Sequence, residues 1–156
     1  MEQNVDSDIS FFAELTLFTG LEGEEILRLI ELSELQKYEA GEAIVTEGSE
    51  GDAIFILYEG EISVCTQNDK EQTIVLANVS DRGAFFGEVA AVDPGPRSAT
   101  VVADTRASLL VLSLDALEQF YGEFAQARFI VLRNIARVLA RRLRNANVQF
   151  ALFSSS

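Results

Sequence analysis

The pattern that most limits the fold of this chain is a change of period along it. From Gln36 to Ser113 the apolar residues come in short β-prone runs: Ala43–Thr46, Ala53–Tyr58, Ile62–Thr66, Thr73–Ala77, Ala99–Ala103 and Ser108–Ser113. Gly41, Gly48, Gly51, Gly60 and Gly83 stand between them. Glycine takes positive φ without steric cost, so these positions suit tight corners between strands. Glu59-Gly60 between two apolar runs reads as a hairpin, as does the polar stretch Gln67–Lys70. Many short strands with frequent turn signals imply an all-β barrel or jelly roll.

On either side of this region the period is helical. Residues 1–9 are polar and expected to fray. Glu22–Glu34 sets Ile26, Leu29, Ile30 and Leu32 among acids, the spacing of an amphipathic helix whose early acids suit its N-terminal dipole. Phe18 and Leu21 are placed to anchor its entry. A short helix from Ser113 or Asp115 through Phe120 precedes a long one from about Ala125 to Phe150. Along the long helix Phe129, Leu132, Ala136, Leu139, Leu143, Ala146 and Phe150 recur in steps of three and four, a heptad-like seam. Val131, Ile135 and Val138 form a second stripe. One stripe can cover the β-region while the other pairs with a second copy in a two-fold dimer. Alternatively, both stripes pack within one chain. The whole reads as one domain over 1–156: a frayed start (1–9), an N-terminal helical part (10–35), a β-region (36–113) and C-terminal helices (114–150).

Composition removes several classes of function. With 48% apolar residues the chain can fill a core. It carries no apolar run of membrane-spanning length and no secretory leader pattern. Cys65 stands alone, which excludes an internal disulfide and fits a reducing, cytoplasmic setting; its strand-like flanks point to a structural thiol. There is no histidine, so neither a Ser-His-Asp nor a Cys-His site can be built, nor a histidine-ligated metal. No metal and no cofactor is expected, and no enzyme: a cupin, which also uses a small β-roll, typically holds its metal with histidines. A net charge of −13 argues against DNA as a partner. Most acids lie before residue 62, while Arg128, Arg133, Arg137, Arg141, Arg142 and Arg144 gather near the C-terminus. That cluster reads first as a solvated helix face, and second as a contact for an acidic partner or for the chain's own acidic half.

The densest chemistry lies in Phe86–Thr100. Gly87 can bring a backbone amide close to a ligand, and Glu88 to Val92 can form one helical turn whose free N–H groups face an anion. Pro94-Gly95-Pro96 ends that turn, Arg97 adds a fixed cation and Ser98 a hydroxyl, together a cradle for one phosphate. Glu88 is placed to accept from a sugar hydroxyl beside it. By spacing alone, a plain connection between strands with a Glu88–Arg97 ion pair at its neck explains the segment equally well.

Phe86-Gly87-Glu88-Val89-Ala90 and Pro96-Arg97-Ser98-Ala99-Thr100, at this separation, resemble the phosphate-binding cassette of the cyclic nucleotide-binding domain family. That family includes bacterial catabolite activator proteins, regulatory subunits of cAMP-dependent kinase and cyclic-nucleotide-gated channels. Gly41-Glu42, Glu47-Gly48, Gly51-Asp52 and Glu59-Gly60 fit the family's glycine corners, and the resemblance runs from about Phe18 to Asn147. It implies a mainly β fold with flanking helices: a jelly-roll-like β-roll with an N-terminal helix and a long C-terminal helix. It implies that Arg97 pairs with the cyclic phosphate and Glu88 accepts from the ribose 2′-hydroxyl. Gly87, Val89, Ala90, Ser98 and Ala99 then line the pocket. Ser98, where some members carry a guanine-favouring threonine, implies cAMP before cGMP. Alignment along Ala140-Arg141-Arg142-Leu143 makes Asn145, Ala146 and Asn147 candidates for capping the base, or simply the polar end of the helix.

One departure stands out. The family usually has leucine after the cassette alanine, and this chain has Ala91. That leucine helps couple the filled pocket to the C-terminal helix, a role Val92 can take only in part. The expectation is therefore a cyclic nucleotide sensor that repositions its C-terminal helix to signal to an effector protein or a second subunit. The alternatives are a ligand-independent interaction domain of the same fold and the effector-binding part of a truncated transcription regulator. No DNA-binding helix-turn-helix is expected between Phe150 and Ser156.

Overall fold

The structure, a computed structural model, describes residues 5–154, with side chains from residue 8 to residue 147. It divides into one unit of residues 28–120 and another of residues 1–27 with 121–156.

The first unit holds eight strands: β1 (Glu34–Tyr38), β2 (Ala43–Val45), β3 (Ala53–Glu59), β4 (Ile62–Gln67), β5 (Thr73–Val79), β6 (Phe85–Phe86), β7 (Thr100–Ala103) and β8 (Ala107–Ser113). They form two antiparallel four-stranded sheets, ordered β1-β8-β3-β6 and β2-β7-β4-β5. Alternating residues of both sheets supply one core: Phe55 and Leu57 from β3, Ile62 from β4, Val101 and Ala103 from β7, Ala107 and Leu109 from β8. A fully buried aliphatic side chain such as Leu57 stabilises the fold by about 1.5–3 kcal/mol relative to exposure. This is the expected β-roll.

Two turns show how the roll is made. Asn68 closes the β4–β5 hairpin, its Oδ1 accepting from the amides of Lys70 and Gln72. Glu59-Gly60, expected as a hairpin, is instead a corner between sheets: β3 pairs with β6 and β8, β4 with β5 and β7. Gly60 has φ 103°, and a Cβ there would stand 2.5 Å from the Arg106 carbonyl oxygen. The glycine is needed because a second strand connection passes against it.

Strands β1 and β6 have no counterpart among the expected runs. β1 is polar and only half-buried at Leu35 and Tyr38, so it carries no apolar run; its register against β8 defines it. β6 is two phenylalanines paired with Phe55 and Ile56. Helix α2 (Gly23–Leu32) buries Ile26 and Leu29, and Glu25 Oε1 accepts from the Glu22 amide at 2.8 Å, fixing its first turn. Helix α3 (Leu114–Glu123) starts on Ser113, whose hydroxyl accepts from the Ala116 amide.

In the other unit α1 spans Val5–Glu14, starting inside the stretch expected to fray. Phe12 gives α1 a buried anchor, stacking on Phe18 with ring centroids 5.9 Å apart. A 3-10 turn at Thr16–Phe18 follows, burying Leu17 and Phe18. Helix α4 runs Ala125–Ser154. Its second stripe, Val131, Ile135 and Val138, is the buried one. Between these, buried Asn134 donates through Nδ2 to the carbonyls of Leu17 and Thr19, at 2.8 and 2.9 Å. The seam divides: Leu132 and Leu139 are half-buried, while Phe129 and Leu143 are 69% and 62% exposed. Phe150's side chain lies outside the described residues. No helix among the described residues is long and apolar enough to cross a membrane.

Candidate functional site

The segment between β6 and β7 builds the site. Gly87 follows β6 with φ 85° and begins a 3-10 turn, Glu88–Ala91. Only glycine fits there: a Cβ would lie 2.6 Å from both the Ala53 carbonyl oxygen and Arg97 Nη1. The turn closes through Ala90 N–H on the Gly87 carbonyl and Asp93 N–H on the Val89 carbonyl. It buries Glu88 and Ala90, while Val89 and Val92 remain about half exposed, at 49% and 54%.

Past the prolines the chain is clasped by the β2–β3 connection. The Arg97 amide donates to the Ser49 carbonyl at 2.6 Å, the Gly48 amide to the Arg97 carbonyl at 2.8 Å, and Glu50 bridges Pro96. The Gly51 amide donates to the Gly95 carbonyl at 3.2 Å. Further on, Thr100 Oγ1 accepts from the Glu47 amide. The glycine corners at 48 and 51 thus fix where Arg97 leaves the backbone.

The Arg97 side chain is 8% exposed. Nη2 donates to the Ala53 carbonyl at 3.2 Å and lies 3.9 Å from Asp52 Oδ1. The guanidinium stands 5.5 Å from the centroid of the Phe55 ring, which stacks on Phe86. Nε is buried and has no hydrogen-bond partner. Burial pulls the guanidinium below its ordinary value, and the charges of Asp52 and then Glu88 push it back up. A fork of five donors is therefore held in a small-residue cradle with at least one donor unused, an arrangement that suits a planar or tetrahedral oxyanion.

The structure brings Gly87, Glu88, Ala90 and Arg97 together. Val89 and Ser98 are exposed and Ala99 half-buried on the same segment. Asn145, Ala146 and Asn147 are exposed on α4, in the helical unit. Sequence reasoning missed three participants: Asp52, the Ala53 carbonyl and the Phe55 ring. Gly51-Asp52 is visible only as a turn signal, because its link to Arg97 comes from pairing residues more than 40 positions apart.

A family model for the cyclic nucleotide-binding domain matches residues 35–124. Glutaminase 2 of Bradyrhizobium diazoefficiens is 32% identical over 142 residues, which cover 91% of this chain and 22% of that protein. The cAMP-dependent protein kinase regulatory subunit of Mucor circinelloides is 33% identical over 112 residues, covering 72% of this chain and 26% of the subunit. The chain thus spans about a quarter of the length of these curated relatives. Among solved structures, the catabolite activator protein of Thermus thermophilus is similar at a TM-score of 0.77 and 30% identity, over 89% of this chain and 63% of that one. With its cassette inside a match that covers more than half its length, this chain belongs to the cyclic nucleotide-binding domain family.

Proposed function

We propose that the chain is a cyclic nucleotide sensor that takes cAMP, with cGMP the weaker ligand, at Phe86–Thr100. The observation that carries this reading is Arg97: a buried cation with an unpartnered Nε, held against two glycine-made gaps. Leaving a buried donor unsatisfied costs about 1–3 kcal/mol, which an incoming phosphate oxygen would recover. Glu88 accepts from the ribose 2′-hydroxyl, so a 2′-deoxy analogue would leave a buried carboxylate short of a donor. Gly87, Val89, Ala90, Ser98 and Ala99 line the pocket, and Asn145 or Asn147 caps the base. The site uses no catalytic group, cofactor or metal, and the setting is the cytoplasm.

Binding repositions α4, a shift between two states of different affinity. The signal passes to an effector protein or to a second copy that pairs along the exposed seam at Phe129 and Leu143. The second reading is a ligand-independent interaction domain of the same fold. It is favoured by Ala91 together with Val92, which is 54% exposed rather than packed where the family's leucine would act. Calorimetric titration with cAMP, cGMP and cyclic dinucleotides, on the wild type and Arg97→Ala, separates the two. Saturable cAMP binding lost in the variant supports the sensor. Absence of binding by every ligand, with tight capture of a partner protein, supports the second reading.

A further inference from the structure

Strands β1, β6, β2 and β5 lie at the edges of the two sheets. Three of these edges are blunted. β1 carries Glu34 and Lys37, while β2 and β6 are three and two residues long. β5 is seven residues long, has neither charge nor proline, and among the described residues pairs through one side only, with β4. Ile74, Val75 and Leu76 stand 42%, 55% and 57% exposed along it. The stretch from Gln72 to Ser80 is uncharged, in a chain of net charge −13. A long apolar edge with open backbone groups is a template for another strand.

β5 also holds a bulge, and the bulge selects the strand that fits. Val64 pairs with Ala77 and Cys65 with Val75, so Leu76 is an extra residue. Val64 and Val79 pack on the core of the roll. Ile74, Ala77 and Val79 therefore share the inner face, and Thr73, Val75 and Asn78 the outer. The alternation breaks once, at Leu76. A plain extended strand alternates without a break, so it matches β5 on one side of Leu76 only. A second β5 running antiparallel carries the same break.

We propose that two copies of this chain join edge to edge through β5, with the two-fold axis between Val75 and Leu76. Ile74 then faces the partner's Ala77 and Thr73 the partner's Asn78, inner with inner and outer with outer. The same register sets Lys70 near the partner's Asp81 and Asp69 near the partner's Arg82, each contact made twice. Moving the axis onto Val75 sets Asp69 against the partner's Asp81, and moving it onto Leu76 sets Glu71 against the partner's Asp81. Both place like charges together. The joint uses no residue of α4 or of the Arg97 cradle.

Sedimentation of the full chain in a Leu143→Glu background, which removes pairing along α4, tests this. The dimer persists there, and adding Leu76→Lys abolishes it while the chain stays folded by circular dichroism. Lys70→Glu weakens it at least about threefold, and Asp81→Lys in the same chain restores it. With Cys65→Ser as well, Thr73→Cys mixed with Asn78→Cys gives a disulfide-linked dimer on oxidation, because facing Cα atoms stand about 5 Å apart. Neither variant alone does so, since identical positions lie five residues, about 16 Å, apart along the joint. A Leu143→Glu chain that is monomeric at every concentration, or a dimer indifferent to Leu76→Lys, overturns the joint. Crosslinking by either cysteine variant alone, or no rescue by Asp81→Lys, overturns this register.

Discussion

Replacing Arg97 by alanine should separate ligand binding from folding. In the free protein the side chain contributes one hydrogen bond, Nη2 to the Ala53 carbonyl at 3.2 Å, and a contact with Asp52 at 3.9 Å that is open to solvent on the aspartate side. Against that stand a desolvated charge and a donor without a partner. The hydrogen bond is worth about 1 kcal/mol and the orphaned donor costs about as much. Net stability should change by no more than about 1 kcal/mol, or about 3 °C in a chain of this size. Binding should respond differently. Two charge-assisted hydrogen bonds to a phosphate, at about 1.5–3 kcal/mol each, correspond to a loss of about 10²–10⁴ in affinity. The assay is differential scanning calorimetry of the free variant beside calorimetric titration with cAMP. A variant that unfolds many degrees lower yet binds as the wild type does would refute the reasoning, because Arg97 would then be a structural cation.

Gly87→Ala should lose binding and about 2 kcal/mol or more of stability, since its φ of 85° is strained for a side chain and the new Cβ meets Ala53 and Arg97; urea unfolding and titration read both effects. Asn134→Ala strands the Leu17 and Thr19 carbonyls that its Nδ2 now serves, and should cost about 2–4 kcal/mol in urea unfolding. Burial and, less strongly, Glu42 hold the Tyr38 phenol above its ordinary value. The neutral phenol is thus favoured in the fold, a contribution present below about pH 10 and lost as pH rises through the raised value. Tyr38→Phe should therefore flatten the alkaline fall in stability, measured by thermal unfolding from about pH 9 to about pH 11.

The sequence made most of the β-roll legible because its strands are short apolar runs between glycines. Six such runs correspond to strands β2, β3, β4, β5, β7 and β8. β1 escaped because an edge strand with one half-buried face need not be apolar, and β6 because two residues make no pattern. Gly60 was recognisable as a corner, but whether the next strand pairs with the last or crosses to another sheet depends on Ala107 packing against it, which local pattern does not carry. At the site, Gly87, Glu88 and Arg97 were readable from one contiguous segment. Asp52, Ala53 and Phe55 were not, because they reach Arg97 only through the clasp between the β2–β3 connection and Pro96-Arg97. On α4 both stripes were visible, and burial assigned them: Val131, Ile135 and Val138 inward, Phe129 and Leu143 outward.

The Arg97 side chain also provides the most direct test of the phosphate site. Its Nε–H is buried and unpartnered in the free protein, so its NMR resonance reports the arrival of an oxyanion. Titration of labelled protein with cAMP should move that resonance downfield and slow its exchange with water, saturably and together with the Gly87 and Ala90 amides. An Arg97 Nε–H resonance that stays unchanged at saturating cAMP would contradict the assignment of this cradle as the cyclic phosphate site.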